Sequence, residues 1–214
     1  MKGKIWLGIS AVILLAAIVI FVLLQKPSEV APPPPVIASV TPSLTPAPTS
    51  TIPPKYDLTV DKDGLSKAVG TMTLSGGGTV TFRFYSNDAP NTVKRITQLI
   101  SEGFYNGMVI HRMDPGFVIQ AGDPNCAVSG NPRCGTGGSG VKLKAEFNSR
   151  KHEPGILSMA RTDDPDSADS QFFVMLGYAP QLDGKYTIFG KTISGFEHIQ
   201  KVQRGDKIVS FTIQ

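Results

Sequence analysis

In the segment FYNGMVIHRMDPGFVIQAGDP, residues 104–124, two polar side chains interrupt apolar runs: Arg112 follows MVIH and Gln120 follows FVI. The segment reads as two short strands around a turn at Asp114-Pro115-Gly116. A guanidinium or an amide buried without a partner is costly, so strands that only close a core rarely carry them. On strand periodicity alone, a structural ion pair accounts for Arg112. The competing reading is a pair of groups that face a ligand. An arginine and a glutamine together can hydrogen-bond a peptide main chain and hold a donor against an amide nitrogen.

Other chemistries find little support. His111, His152 and His198 show no ligand spacing, and no metal site is expected. Ser158 sits in ILSMA without the glycines of a nucleophile elbow and reads as a small core serine. The run GTGGSG, 135–140, lacks the Lys-Ser/Thr of a phosphate loop, and the carboxylates of RTDDPDSADS, 161–170, have the composition of a surface loop. No cofactor is expected. One reaction needs none of these groups. Rotation about an X–Pro bond faces a barrier of about 18–20 kcal/mol from amide resonance. Its catalyst needs an apolar slot for the ring, a donor aimed at the imide nitrogen and main-chain contacts that hold the flanking peptide. Arg112 and Gln120 beside Phe117 and Val118 supply that combination.

The elements that must position these residues are mostly short strands. GTMTL (70–74) and TVTFRFY (79–85) alternate apolar and polar residues around SGGG and predict a hairpin. Residues 87–103 predict a helix with Asp88 as cap, Pro90 in the first turn, and Val93, Ile96, Leu99 and Ile100 on one face. GILSMA, SQFFVML and YTIFG read as further strands. Ser194 with Glu197 predicts a capping box opening a short helix, with Phe196, Ile199 and Val202 inward. In the last strand Val209, Phe211 and Ile213 alternate to one side. About eight antiparallel strands with two helices predict an all-β closed barrel with a helix over each end, a sandwich being the alternative.

This domain occupies residues 55–214, long enough for one core. Removing Lys2, Lys4, Lys26 and Glu29 leaves 18 basic and 16 acidic residues, a net charge of +2 without a basic run, so no nucleic-acid partner is expected. Ile5–Leu24 is 20 residues without a charge, the length of one membrane-spanning helix. Lys2 and Lys4 before it predict a cytoplasmic N-terminus and a single-pass anchor over 1–26, with the remainder outside the cytoplasm, at the cell surface or in the periplasm. A cleaved signal peptide is the rival reading, but FVLLQKPSE lacks a small-x-small site. Residues 27–54 hold ten of the chain's 17 prolines and predict a Pro-rich stalk rather than a folded unit.

In order along the chain, YNGMVIHRMDPGFVIQAGDP, GTGGSG, AEFN, GILSMAR, SQFFVML and LDGKYTIFGK resemble the cyclophilin family of peptidyl-prolyl cis/trans isomerases, over Ala68 to Ile213. The resemblance is to a bacterial-like, membrane-anchored member. It implies that Arg112 binds the substrate carbonyl and approaches the imide nitrogen, while Gln120 bonds the substrate main chain and steadies the arginine. Phe117, Val118, Phe173 and Leu182 are implied to line the proline pocket, Val118 replacing a common Met. Tyr186 stands at its rim where many members have His. Gly135 and Gln171 fall on the adjoining groove. Ala160, Arg161 and Thr162 occupy the peptide-pairing edge where the family usually shows Ala-Asn-Ala. Gln181 replaces a Trp associated with cyclosporin binding, which puts drug affinity in doubt.

The implied function is isomerisation of X–Pro bonds in unfolded or newly exported chains by a monomer. The alternative is a non-catalytic proline-peptide-binding or chaperone module. Cys126 and Cys134 are the chain's two cysteines and share one loop, so in an oxidising compartment they are expected to pair. A two-cysteine metal site and free thiols are the other readings.

Overall fold

The computed structural model describes residues 56–214; the expected transmembrane helix and Pro-rich stalk lie outside the described residues. Among the described residues no helix is long and apolar enough to cross a membrane.

Eight strands form one antiparallel sheet: β1 (Val69–Leu74), β2 (Thr79–Phe84), β3 (Arg112–Asp114), β4 (Val118–Ala121), β5 (Ile156–Met159), β6 (Phe172–Met175), β7 (Ile188–Ser194) and β8 (Ile208–Ile213). Their order is β3-β4-β6-β5-β7-β2-β1-β8. The β1–β2 hairpin pairs Thr73 with Thr79, and its buried face carries Met72, Leu74, Val80, Phe82 and Phe84, as alternation requires. The first strand also pairs with the last, and Val69 and Gln214 exchange main-chain hydrogen bonds of 2.9 and 3.0 Å.

The ladders define an eight-stranded antiparallel half-barrel and do not show the expected closure. β3 is only three residues long, and no ladder joins it to β8. Between these edges lie an isolated bridge, Val109 to Lys207, and a few main-chain bonds such as Ile110 N to Asp206 O at 2.8 Å.

Three local expectations also change. Helix α1 (Pro90–Ser101) buries Val93, Ile96, Leu99 and Ile100 as predicted, but Ala89 is its N-cap and Asp88 does not cap it. Asp88 is bound instead to Arg150, 2.7 Å away. The free N–H groups of Asn91 and Thr92 donate to the two carboxylate oxygens of Glu146 at 3.0 and 2.8 Å. A carboxylate at a helix N-terminus also meets the positive end of the helix dipole. Helix α2 (Phe196–Ile199) starts from Gly195, not from a capping box. Ser194 is still paired to Thr81 at the end of β7, one position before the N-cap, and no side chain caps the helix. Gly195 has φ +79°, and an added Cβ would lie 2.2 Å from Thr79 O. A register shift between Thr73 and Leu74 of β1 leaves Val209 of β8 without a partner; Ile208 and Phe211 are buried and Val209 is 54% exposed. A bulge of one residue moves the following side chains to the other face, which the period of two does not anticipate.

The main core holds Tyr105, Phe172, Phe211 and Phe82, with Tyr105 and Phe172 edge to face at 5.4 Å. A second cluster, including Val118, Ile156, Phe173, Met175 and Ile188, lies on the other side of the β4–β6–β5 region. Phe117, Ala160, Leu182 and Tyr186 pack against this second cluster and stay partly exposed.

Cys126 and Cys134 form a disulfide that closes the loop after β4. The chain-entropy relation gives about 2–3 kcal/mol for so short a loop. Reduction should therefore loosen this loop locally without unfolding the sheet. The check is circular dichroism with and without reductant; loss of the far-ultraviolet signal on reduction would contradict a local role.

Candidate active site

The β3–β4 hairpin places Arg112 directly across from Gln120. Neither is sealed in a core: the Arg112 side chain is 46% exposed and Gln120 is half-buried. Their neighbours Ile119 and Ala121 enter the main core, while Val118 joins the second cluster. β6 sets Phe173 beside Gln120 in register. Leu182 comes from a single 3-10 turn, Pro180–Leu182, and Tyr186 from the segment before β7.

These residues surround one depression of about 200 Å³. Phe117, Val118, Ala160, Phe173, Leu182 and Tyr186 form its apolar part, and Arg112, Gln120 and Arg161 its polar rim. A neighbouring depression of about 210 Å³ is bordered by Gly135, Thr162 and Gln171 and shares Gln120, Ala160 and Arg161 with the first. Gln181 is exposed and lines neither. Of the residues expected at the site, Gln181 alone stands outside both depressions.

The Arg112 guanidinium is held from one side. Nε and Nη2 donate to Asp114 Oδ2 at 2.9 and 2.5 Å, and Nη1 reaches Gln120 Oε1 at 3.4 Å. Its carbon lies 5.6 Å from the centre of the Phe117 ring. The ion pair that strand periodicity suggested is therefore present, and it coexists with a guanidinium edge on the depression.

A relay of amides leads away from it. Gln120 Nε2 donates to Gln171 Oε1 at 2.8 Å, and Gln171 Nε2 donates to Gly137 O at 2.8 Å and Gly135 O at 3.1 Å. This sequence fixes which end of each amide faces which neighbour and leaves the Gln120 carbonyl toward Arg112. Asp123, fully buried, organises the far end. It accepts from the main-chain N–H groups of Asn125 at 2.8 Å, Gly135 at 2.6 Å and Gly137 at 3.0 Å. Sequence reasoning missed Asp123 and Asp114. The only available signal was an aspartate at the head of a Gly-rich loop.

Beneath the depression, His152 Nδ1 lies 3.0 Å from Asp183 Oδ1 and Nε2 lies 3.1 Å from Ser158 Oγ. The order of groups is that of a serine hydrolase, but Ser158 and His152 are buried and no substrate can reach them. The His152 ring instead stacks behind Phe173, with centroids 6.1 Å apart.

Burial, the dominant cause, holds His111 and His152 below the ordinary histidine value of 6.5, outweighing Asp123 and Asp183. An unfolded chain takes up protons on these residues below about pH 6.5 while the folded chain resists. Their contribution to stability is thus complete above that pH and lost as the pH falls below it. Asp183 is held below the ordinary 3.8, chiefly by the His152 main-chain N–H, so its loss belongs to a more acidic range. The melting temperature should be flat above about pH 7 and fall toward pH 5, and less steeply in His152→Gln. A melting temperature unchanged over that interval would contradict this assignment.

The family model for "Cyclophilin type peptidyl-prolyl cis-trans isomerase/CLD" matches residues 69–212. Peptidyl-prolyl cis-trans isomerase B of Bacillus subtilis is 40% identical over 137 residues, 64% of this chain and 92% of that protein. A peptidyl-prolyl cis-trans isomerase of Synechococcus elongatus is 39% identical over 138 residues, 64% of this chain and 90% of its own length. A crystal structure of a cyclophilin type isomerase from Cryptosporidium parvum, in the presence of the dipeptide Ala-Pro, superposes with a TM-score of 0.60 at 29% identity. It covers 68% of this chain and 98% of that one. With sheet order, pocket and sequence in agreement, the chain belongs to the cyclophilin-type peptidyl-prolyl cis-trans isomerases.

Proposed function

We propose that this isomerase is tethered to a membrane by its N-terminal segment and acts on X–Pro bonds of unfolded or newly exported chains. The observation that carries the catalytic part is the guanidinium edge of Arg112 beside the apolar side of a depression of about 200 Å³. In this reading the ring enters between Phe117, Val118, Phe173 and Leu182. Gln120 and the main chain of residues 160–162 hold the flanking peptide, and Gly135 and Gln171 border the path beyond. Arg112 Nη1 donates to the imide nitrogen as it leaves conjugation, so the twisted state gains a hydrogen bond that the planar states lack. No bond is broken and no proton is transferred.

Support for the tether is the uncharged stretch of 20 residues behind Lys2 and Lys4, followed by the Pro-rich segment. The Cys126–Cys134 bond suits an oxidising compartment. A protease-coupled assay on a proline peptide tests the activity. Alkylation of intact cells followed by mass spectrometry of the membrane fraction tests the location. Turnover with an unmodified Cys126–Cys134 pair in that fraction is expected; two alkylated cysteines would remove the case for an exported domain.

A further inference from the structure

Arg161 stands on the ridge between the two depressions and borders both. Its guanidinium is committed to main-chain oxygens on two sides. Nε and Nη2 donate to Lys185 O at 3.1 and 3.0 Å, and Nη1 donates to Thr162 O at 2.7 Å and Asp163 O at 3.1 Å. The same plane lies over the Tyr186 ring, 4.5 Å from its centre. Among the described residues no carboxylate is paired with it. On its inner side Tyr186 meets Phe173 edge to face at 6.0 Å and His152 at 6.4 Å. The ring is thus held between a cation outside and the pocket wall inside.

We propose that Arg161 is a positioning residue that sets the outer wall of the proline slot. It ties the peptide-pairing edge, 160–163, to the segment carrying Tyr186 and pins that ring against Phe173. The role requires the planar fork. Five donors in one plane can bridge carbonyls from two segments while stacking on a ring, whereas an ammonium is a point donor that cannot do both. Fixing the side chain costs rotamer entropy, which four main-chain hydrogen bonds and the ring contact offset, and the geometry they fix is the shared border of the two depressions. The proposal rests on the reading of this depression as the proline slot.

The test is a set of variants of the full-length chain: Arg161→Ala, Arg161→Lys, Tyr186→Ala and the double variant Arg161→Ala/Tyr186→Ala. Each is assayed with an Ala-Pro-containing peptide, and the Tyr186 ring signals are followed by NMR. Arg161→Ala should raise KM roughly threefold to tenfold, the worth of a desolvating cation–π contact. Its kcat should stay within about twofold, because no interaction special to the twisted state is lost. Arg161→Lys should behave like the alanine variant, and the double variant no worse than Tyr186→Ala alone. Unchanged KM in Arg161→Ala, full rescue by lysine, or additive effects would each overturn the clamp. If the wild-type chain shows no turnover, the slot reading fails instead. The clamp is then judged by NMR, where Tyr186 signals unchanged in Arg161→Ala overturn it and altered ones uphold it.

Discussion

Arg112→Ala should lower kcat/KM by roughly a hundredfold to a thousandfold, the cost of removing one preorganised donor from a developing charge. At about 1.36 kcal/mol for each tenfold, that is about 2.7–4 kcal/mol of barrier. The fold should survive. The side chain is half-exposed, and the Asp114 pair lost with it is a surface pair of the kind worth about 0–1 kcal/mol. Arg112→Lys should recover little, since an ammonium cannot keep two donors on Asp114 and a third on the depression. Stopped-flow isomerase assays beside circular dichroism decide the matter. A near wild-type rate in a folded Arg112→Ala protein would end the mechanism.

The second large effect is expected from Asp123→Ala. Removing this carboxylate leaves the N–H groups of Asn125, Gly135 and Gly137 without their acceptor, and the Gln171 amide loses a contact at 3.4 Å. A fully buried donor left unpaired costs about 1–3 kcal/mol. These three belong to residues that are partly or largely exposed, where water replaces part of the lost bonding, so the loss amounts to roughly 2–4 kcal/mol in all. Such a loss is large beside the about 5–15 kcal/mol that stabilises a typical domain. Because Gly135 and Gly137 hold Gln171, and Gln171 holds Gln120, the damage should reach activity at temperatures where the sheet is still folded. Urea titration would measure the first effect, and turnover well below the midpoint the second. A midpoint within error of wild type would show that the loop does not depend on Asp123.

Where alternation was regular, the sequence was readable. GTMTL and TVTFRFY gave the first hairpin, and the apolar face of residues 90–101 gave the helix, since each is set by side chains a few positions apart. What stayed hidden depends on residues far apart in sequence. Glu146 caps a helix 55 positions earlier, as no local pattern could indicate. The bulge at Val209 is a property of the β1–β8 pairing and not of β8 alone. The site was legible for a similar reason in reverse. Arg112, Phe117, Val118 and Gln120 lie within one hairpin, and motif order supplied Phe173, Leu182 and Tyr186. Asp123 and Asp114 looked like ordinary turn residues, and their roles emerge only from the partners that the fold brings to them.

The pairing of β1 with β8 has a consequence for how the molecule comes to be. An edge made by the earliest strand waits for a partner about 140 residues downstream, and chains rich in such distant contacts fold slowly. During synthesis, residues 69–84 form a hairpin whose outer edge stays open until the six-residue strand β8 arrives. Loss of a few residues from the C-terminus would therefore remove the step that commits the chain, leaving an intermediate with an unprotected edge suited to aggregation or to proteolysis.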